Sequence, residues 1–162
     1  MATIIPKNMK IKKIEFRNFA SYGNKTQVIE FDEKRGNFYL VLGKNGSGKS
    51  SISDVIKFAL YGKLQNKKLY TIPNRFNGAA WCRITVIKDA ATTVVIERGI
   101  NPGIFTCHVN GVEYDQAGKR NVQNFIEEEI LGIPFYVYNN IVSLSINDFK
   151  SFLNMRPGDK RK

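Results

Sequence analysis

The chain has 162 residues, 43% of them hydrophobic and 24% charged, which suits one globular domain with a core of its own. No apolar run is long enough to cross a bilayer, so we expect no contact with membrane and a cytoplasmic protein. The net charge of +11 favours a polyanionic partner, with nucleic acid as the first candidate. Cys82 and Cys107 form no C-x-x-C pair, which predicts two reduced, buried cysteines rather than a metal site.

The N-terminal part of the chain is predicted to form a β-hairpin followed by a buried strand. Apolar and basic residues interleave from Lys10 to Phe19, and a second strand, Thr26 to Phe31, follows the turn at 21–24. After another turn, the segment Asn37 to Leu42 ends in five apolar or aromatic residues. We predict that this segment is a buried strand that leads into the functional loop.

That loop, Gly43 to Ser50, reads Gly-Lys-Asn-Gly-Ser-Gly-Lys-Ser and is typical of a phosphate-binding loop. Its glycines allow a ring of backbone N–H groups, and a following helix N-terminus favours an anion. Lys49 is predicted to bridge the β- and γ-phosphates of ATP as the catalytic lysine, and the Ser50 hydroxyl to ligate Mg²⁺. The other candidates for nucleotide contact within or beside the loop are Gly43, Asn45, Gly46, Ser47, Gly48 and Ser51.

A helix is predicted immediately after the loop, from Ser51 to Tyr61. Its apolar residues recur at helical spacing, and Gly62 is suited to end it. The residues on this apolar face are Ile52, Val55, Ile56, Ala59 and Leu60. Because a strand, the loop and a helix follow one another, the context supports nucleotide binding better than a chance glycine-rich turn.

The region after the helix begins with a basic stretch and an aperiodic, mobile loop over 71–78. Lys63, Lys67 and Lys68 are candidates for DNA contact, although a solvated loop is the commoner outcome for such a run. Closely spaced strands then predict an antiparallel meander, with Asn110-Gly111 as a tight turn. These strands are Trp81 to Lys88, Thr92 to Arg98, Ile104 to Val109 and Val112 to Tyr114.

The last part of the chain is predicted to be mainly helical. A helix from Lys119 to Leu131 should end at Gly132, and Pro134 to Leu144 should form a helix that runs into a strand. A short amphipathic piece begins at Asn147. No apolar strand ending in the aspartate that a P-loop ATPase needs for Mg²⁺ occurs in the sequence, nor does a Leu-Ser-Gly-Gly segment. We therefore expect the chain to bind ATP better than it hydrolyses it.

Several segments resemble parts of one family. They are Asn18-Phe19-x-Ser21, the loop with Ser51, Asp54-x-Ile56-x-Phe58-x-Leu60-Tyr61-Gly62, Ile96-Glu97-Arg98-Gly99, Val109-Asn110-Gly111 and Phe152-Leu153-Asn154-x-x-Pro157. Together they resemble the N-terminal half of an SMC-type ABC ATPase head of the double-strand-break repair exonuclease class, the SbcC class that includes T-even bacteriophage recombination exonuclease subunits. The resemblance covers essentially all of residues 1–162, and for a phage protein it implies the host cytoplasm as the location. It implies an α/β P-loop fold of ABC type, with a mixed sheet, an antiparallel meander and helices, as the N-terminal lobe of a head.

The resemblance also implies a mechanism. In such proteins the chain continues into a long coiled coil and returns with the missing aspartate and signature motif, and two heads clamp two ATP molecules. Closing and opening of this dimer regulates a metal-dependent nuclease partner and its access to double-stranded DNA. Asn18 and Ser21 would lie near the nucleotide. The family's glutamine loop aligns with Ile146-Asn147-Asp148, which contains no glutamine, and Ala20 replaces a frequent arginine.

Alternatives from other functional classes remain open. One is an SMC-like DNA-organising or recombination-mediator ATPase without a nuclease. Another is a self-contained P-loop kinase or compact GTPase, which the antiparallel meander and the missing acidic centre oppose. A non-enzymatic nucleic-acid module would bind no nucleotide.

Overall fold

A six-stranded antiparallel sheet forms the centre of the computed structural model, which describes residues 9–32, 34, 36, 38–65, 67–115 and 118–143. Its order is β2-β1-β3-β4-β5-β6, and each neighbouring pair is antiparallel. The strands are β1 (Lys10–Arg17), β2 (Gln27–Glu30), β3 (Ala80–Asp89), β4 (Thr92–Ile100), β5 (Ile104–Val109) and β6 (Val112–Glu113).

The predicted hairpin and the predicted meander are both present. The hairpin β1–β2 joins the meander through the pairing of β1 with β3. Asn110 and Gly111 both adopt positive φ angles, 52° and 82°, which are the conformations that a two-residue hairpin turn requires. The meander therefore follows from local turn chemistry, as the sequence predicts.

Helices cover one face of this sheet. Helix α1 (Lys49–Tyr61) ends at Gly62, whose φ of 68° suits a C-terminal cap, and α2 (Lys119–Phe125) continues as a π-helix over Ile126–Leu131. After Gly132, α3 (Phe135–Val137) continues as a second π-helix over Tyr138–Val142. The predicted change from helix to strand in 134–144 does not occur within the described residues, where the helical geometry ends at Val142 and Ser143 forms a bend.

The core lies between this face of the sheet and the helices. Successive strand residues point to opposite faces, so buried residues alternate with more exposed ones along β3, β4 and the second half of β1. The largest fully buried side chains include Ile14, Phe16, Leu60, Ile84, Ile96, Ile126 and Ile130. Burial of each such side chain contributes roughly 1.5–3 kcal/mol, so the packed core fixes α1 firmly on the sheet.

The segment before the phosphate loop differs from the prediction. Residues 38–42 form no strand and pair with none of the described strands, and Phe38 is 99% exposed and Leu42 81% exposed. The prediction of a buried strand over Asn37 to Leu42 is therefore wrong for this chain. The physical reason is that none of the described strands pairs with this segment, so its backbone groups lack the neighbouring strand that a sheet would supply.

The loop over 71–78 is better anchored than a mobile loop would be. A turn of 3₁₀-helix (Leu69–Thr71) leads into it, Ile72 and Asn74 are buried, and Phe19 pairs with Pro73. The Ala20 N–H donates to the Ile72 carbonyl, and the Asn74 N–H donates to the Asn18 carbonyl. Backbone hydrogen bonds to the turn after β1 hold this aperiodic segment, and hydrophobic periodicity does not reveal such bonds.

Two further predictions concern residues after Ser143, where the described part of the chain ends. The amphipathic piece from Asn147 and the segment Ile146-Asn147-Asp148 lie outside the described residues. Within the described ranges, no helix is both long and apolar enough to span a membrane.

The two cysteines are expected to resist thiol reagents in the folded protein. Cys82 and Cys107 lie buried on β3 and β5, and burial raises the pKa of Cys82 to about 12 and that of Cys107 to about 11. Because the thiolate is the reactive form, an aromatic disulfide reagent at pH 8 should label neither residue until urea unfolds the protein. Rapid labelling of the native protein, followed by absorbance, would contradict this packing.

Candidate functional site

The loop between residue 43 and α1 encloses a cavity of about 410 Å³. Seven residues line it: Ser21, Asn45, Gly46, Gly48, Lys49, Ser50 and Ser51. All of them are candidates that the sequence predicts for nucleotide contact. The structure thus brings the turn after β1 and the first turn of α1 to one site.

Glycine is required at the centre of this loop. Gly46 and Gly48 have φ angles of 80° and 92°, a region that other residues rarely adopt. At Gly48 a Cβ atom would also lie only 2.8 Å from Cε2 of Tyr22. The backbone can curve around an anion here because these positions lack side chains.

Helix α1 begins in this loop, and no side chain occupies the free backbone N–H groups at its N-terminus. Gly48 is the N-cap, no side chain caps the first turn, and no acidic residue lies in that turn. The N-terminus of a helix carries a partial positive charge that attracts phosphate. The donor set and the glycine cradle therefore fit the phosphates of a nucleotide.

The ammonium group of Lys49 is held at the loop by two backbone carbonyls. Its Nζ donates to the Gly43 oxygen at 2.6 Å and to the Lys44 oxygen at 2.8 Å. These bonds fix a positive charge beside the glycine cradle. There it would neutralise the negative charge of phosphate oxygens. The adjacent Ser50 is exposed, so its hydroxyl is available as a hard oxygen ligand of the kind Mg²⁺ prefers.

Three predicted nucleotide contacts lie outside the lining of the cavity. The Asn18 side chain donates to Asn24 at 3.2 Å and accepts from Asn77 at 2.8 Å, so it ties loops together. Gly43 contributes its carbonyl to Lys49. Ser47 lies so close to Gly43 that a Cβ there would meet its Oγ at 2.6 Å. Asn18 and Gly43 thus form hydrogen bonds within the loop region, and Ser47 lies close beside Gly43.

Tyr22 is a positioning residue that the sequence does not reveal. Its hydroxyl donates to the Gly48 carbonyl at 3.3 Å, and its ring packs edge-on against Phe16 with centroids 4.8 Å apart. The contact connects the strand core to the N-cap of α1. An aromatic residue in a turn signals no such role, because the contact spans residues distant in sequence.

The three lysines predicted to contact DNA have separate surroundings. Lys67 forms an ion pair with Asp54 on α1, with 2.5 Å between Nζ and Oδ2. Lys63 Nζ lies 4.8 Å from the centre of the Phe135 ring, and Lys68 Nζ lies 5.8 Å from that of Tyr70. Each of the three lysines therefore has a different described partner.

Acidic groups suited to a metal are missing from the part of the chain that the structure describes. There, no group of three or more His, Cys, Asp and Glu residues is arranged to hold an ion. Glu97 instead bonds Trp81 and Arg83 on the outer face of the sheet. Partial burial opposes its ionisation, but these hydrogen bonds outweigh that effect and lower the pKa of Glu97.

Comparisons with known proteins agree with this geometry. A profile of the AAA domain family AAA_23 matches residues 13–154. Exonuclease subunit 2 of Escherichia phage RB69 is 29% identical over 158 residues, 96% of this chain. The DNA double-strand break repair Rad50 ATPase of Methanocaldococcus jannaschii is 27% identical over 154 residues, 94% of this chain.

A solved structure supports the same conclusion about the fold. It is described as "Structural biochemistry of ATP-driven dimerization and DNA stimulated activation of SMC ATPases" and is 25% identical, with a TM-score of 0.62. The match covers 93% of this chain and 95% of that one. The fold is thus the predicted α/β, P-loop, ABC-type half of an SMC-like head.

The chain spans only part of its curated relatives. Its match covers 28% of the length of the phage protein and 15% of that of the archaeal Rad50 ATPase. The family profile, by contrast, matches most of this chain and includes the phosphate loop. The chain therefore belongs to the AAA_23 family of AAA domains.

Proposed function

We propose that this chain is the N-terminal, ATP-binding lobe of an ATPase head in a DNA repair or recombination exonuclease complex. The observation that carries the proposal is the glycine cradle at the N-terminus of α1, with the Lys49 ammonium fixed beside it. Ser50 and Ser51 would hold Mg²⁺ and phosphate oxygen. ATP with Mg²⁺ supplies the phosphate charge that this set of donors is arranged to neutralise.

The exposed segment before the loop supports the view that a second lobe completes the head. Phe38, Leu40 and Leu42 are 99%, 83% and 81% exposed, an unusual run for apolar side chains so close together. They also adjoin the nucleotide loop directly. A segment that adds a strand here would bury these side chains and bring the missing carboxylates to the phosphate site.

The complete head would act as a gate. ATP binding would close two copies on one another, and hydrolysis would open them, which would control access of double-stranded DNA to a metal-dependent nuclease subunit. Similarity to the phage exonuclease subunit and to Rad50 supports the nuclease-linked version. The net charge of +11 is consistent with a DNA partner.

A titration with ATP·Mg²⁺ tests the proposal. The chain alone should bind ATP but release little phosphate, and hydrolysis should appear on mixing with the C-terminal portion of the same protein. Phe38→Ser with Leu40→Ser should weaken that association and leave ATP binding by the chain intact. Hydrolysis by the chain alone at the rate of the mixture would instead support the self-contained P-loop enzyme.

The second candidate is an SMC-like ATPase that organises DNA or mediates recombination without a nuclease. Its specific support is the structural similarity to SMC ATPases. The two functions differ in their partner, so co-purification with the tagged full-length protein should separate them. Recovery of a metal-dependent nuclease favours the first candidate, and recovery of the protein without nuclease activity favours the second.

A further inference from the structure

A second cleft lies beside the loop that follows α1. It has a volume of about 610 Å³ and is formed by residues 69–78 on one side and 99–103, at the end of β4, on the other. Tyr70 and Arg75 are among the residues of the first wall, and Ile100 and Asn101 are among those of the second. The cleft shares no lining residue with the phosphate cavity, and its size is that of ligand-binding pockets.

Two exposed aromatic rings with adjacent cations lie on the 69–78 side of this cleft: Tyr70 and Arg75 line it, and Phe76 follows Arg75 directly in the chain. Tyr70 is 74% exposed and Phe76 is 81% exposed. Lys68 Nζ lies 5.8 Å from the centre of the Tyr70 ring, and Arg75 Cζ lies 4.9 Å from the centre of the Phe76 ring. One exposed ring would be ordinary, but two ring–cation pairs beside one cleft form a surface that can stack bases and meet phosphates.

The charge around the cleft has a single sign. Residues 67–78 contain Lys67, Lys68 and Arg75 and no acidic residue, and residues 99–104 contain no charged residue. Lys67 is paired with Asp54, which leaves Lys68 and Arg75 as the cations at the rings. An anionic polymer therefore meets no repulsive carboxylate from either wall.

Both walls are held in place by side-chain hydrogen bonds. Asn74 Nδ2 donates to the Ala20 carbonyl at 2.9 Å, and its Oδ1 accepts from the Phe76 N–H at 3.0 Å. Across the cleft, Asn101 Nδ2 donates to the Gly78 carbonyl at 2.9 Å. Because these bonds order the loop in advance, a ligand would not have to supply that ordering free energy.

We propose that this cleft binds single-stranded DNA. Unpaired bases stack on Tyr70 and Phe76, and Lys68 and Arg75 contact the adjoining phosphates. Aromatic rings next to cations suit unpaired bases, whose faces a duplex would hide. The inference deepens the proposed DNA-processing function and rests on it for the identity of the polymer as DNA.

The experiment measures fluorescence anisotropy of a labelled oligothymidylate, an abasic oligomer of the same length and a duplex, all at one salt concentration. Tyr70→Ala and Phe76→Ala should each weaken oligothymidylate binding by roughly tenfold, since one stacked base is lost. Tyr70→Phe should bind nearly as well as the unmodified chain. Tyr136→Ala, which removes a ring that is 57% exposed on α3, is the matched control and should have no effect.

The outcomes separate this inference from the proposed function. Weaker binding to the abasic oligomer, together with the two alanine effects and unchanged ATP affinity, supports the cleft as a site for unpaired bases. Equal affinity for the abasic oligomer, stronger binding to the duplex, or alanine variants that bind like the unmodified chain would overturn the inference. In each of those cases retained ATP binding leaves the proposed function standing, whereas loss of ATP binding by the unmodified chain would count against that function.

Discussion

Replacement of Lys49 with alanine is expected to abolish measurable ATP binding while the protein stays folded. In the proposed site the ammonium group would contribute charge-assisted hydrogen bonds to phosphate oxygens, each worth about 1.5–3 kcal/mol. Loss of two such bonds weakens binding by at least roughly 100-fold, since 1.4 kcal/mol corresponds to a factor of ten. Isothermal titration of ATP·Mg²⁺ into the variant measures the loss directly.

The fold should tolerate this substitution because Lys49 lies outside the core. Its bonds to the Gly43 and Lys44 carbonyls are at the surface of the loop, so their loss should cost about 1 kcal/mol or less of unfolding free energy. Lys44→Ala is the matched control, because it removes the same charge from the same loop and should keep most of the ATP affinity. If Lys49→Ala bound ATP normally, the assignment of the phosphate site would be wrong.

The geometry of the proposed phosphate site is predictable from sequence because its determinants are local. Gly46 and Gly48 supply positive φ angles, and Ser50 and Ser51 lie in the first turn of a helix that the apolar spacing already reveals. The meander is predictable for the same reason, since the Asn110-Gly111 turn sets the register between β5 and β6. Short-range chemistry determines both features.

Features that depend on distant partners are not predictable in this way. The apolar segment 38–42 has the composition of a buried strand, but composition does not say whether a neighbouring strand is present. Asn18 occupies a position that the family resemblance assigns to the nucleotide, and its side chain instead bonds Asn24 and Asn77. Such contacts depend on which loops meet in space.

Arg98 is another residue whose contacts depend on distant partners, although here the sequence contains a usable signal. Val94, Ile96 and Arg98 alternate along β4, so Arg98 belongs to the buried face, and it is only 8% exposed. Its Nε donates to the Ala59 carbonyl at 2.8 Å, near the C-terminus of α1, and its guanidinium also bonds Gln123. The cation thus joins the sheet to two helices.

The charge on Arg98 persists despite its burial. Desolvation lowers the pKa of Arg98 to about 10, which still leaves the side chain protonated at neutral pH. The positive charge lies near the C-terminal end of α1, where the helix dipole is negative, and 3.8 Å from the centre of the Phe105 ring. These contacts offset the free-energy cost of burying the charge of Arg98 on the inner face of the sheet.

Arg98→Ala is therefore expected to lower the free energy of unfolding by about 3–5 kcal/mol, because it leaves a buried carbonyl without its donor and opens a cavity. Arg98→Lys should recover only part of this, since an ammonium group lacks the planar fork of donors. Arg83→Ala is the matched control: its side chain is 41% exposed and pairs with Glu97, so its loss should cost about 1 kcal/mol.

Urea unfolding followed by circular dichroism distinguishes these variants. If Arg98→Ala were no more destabilising than Arg83→Ala, the buried guanidinium would not be what fastens α1 to the sheet. ATP affinity supplies an independent readout, because Arg98 touches the C-terminal end of α1 and the proposed phosphate site lies at its N-terminal end. The Arg98→Ala protein that remains folded should bind ATP nearly as well as the unmodified chain, which separates support of the helix from the chemistry at its other end.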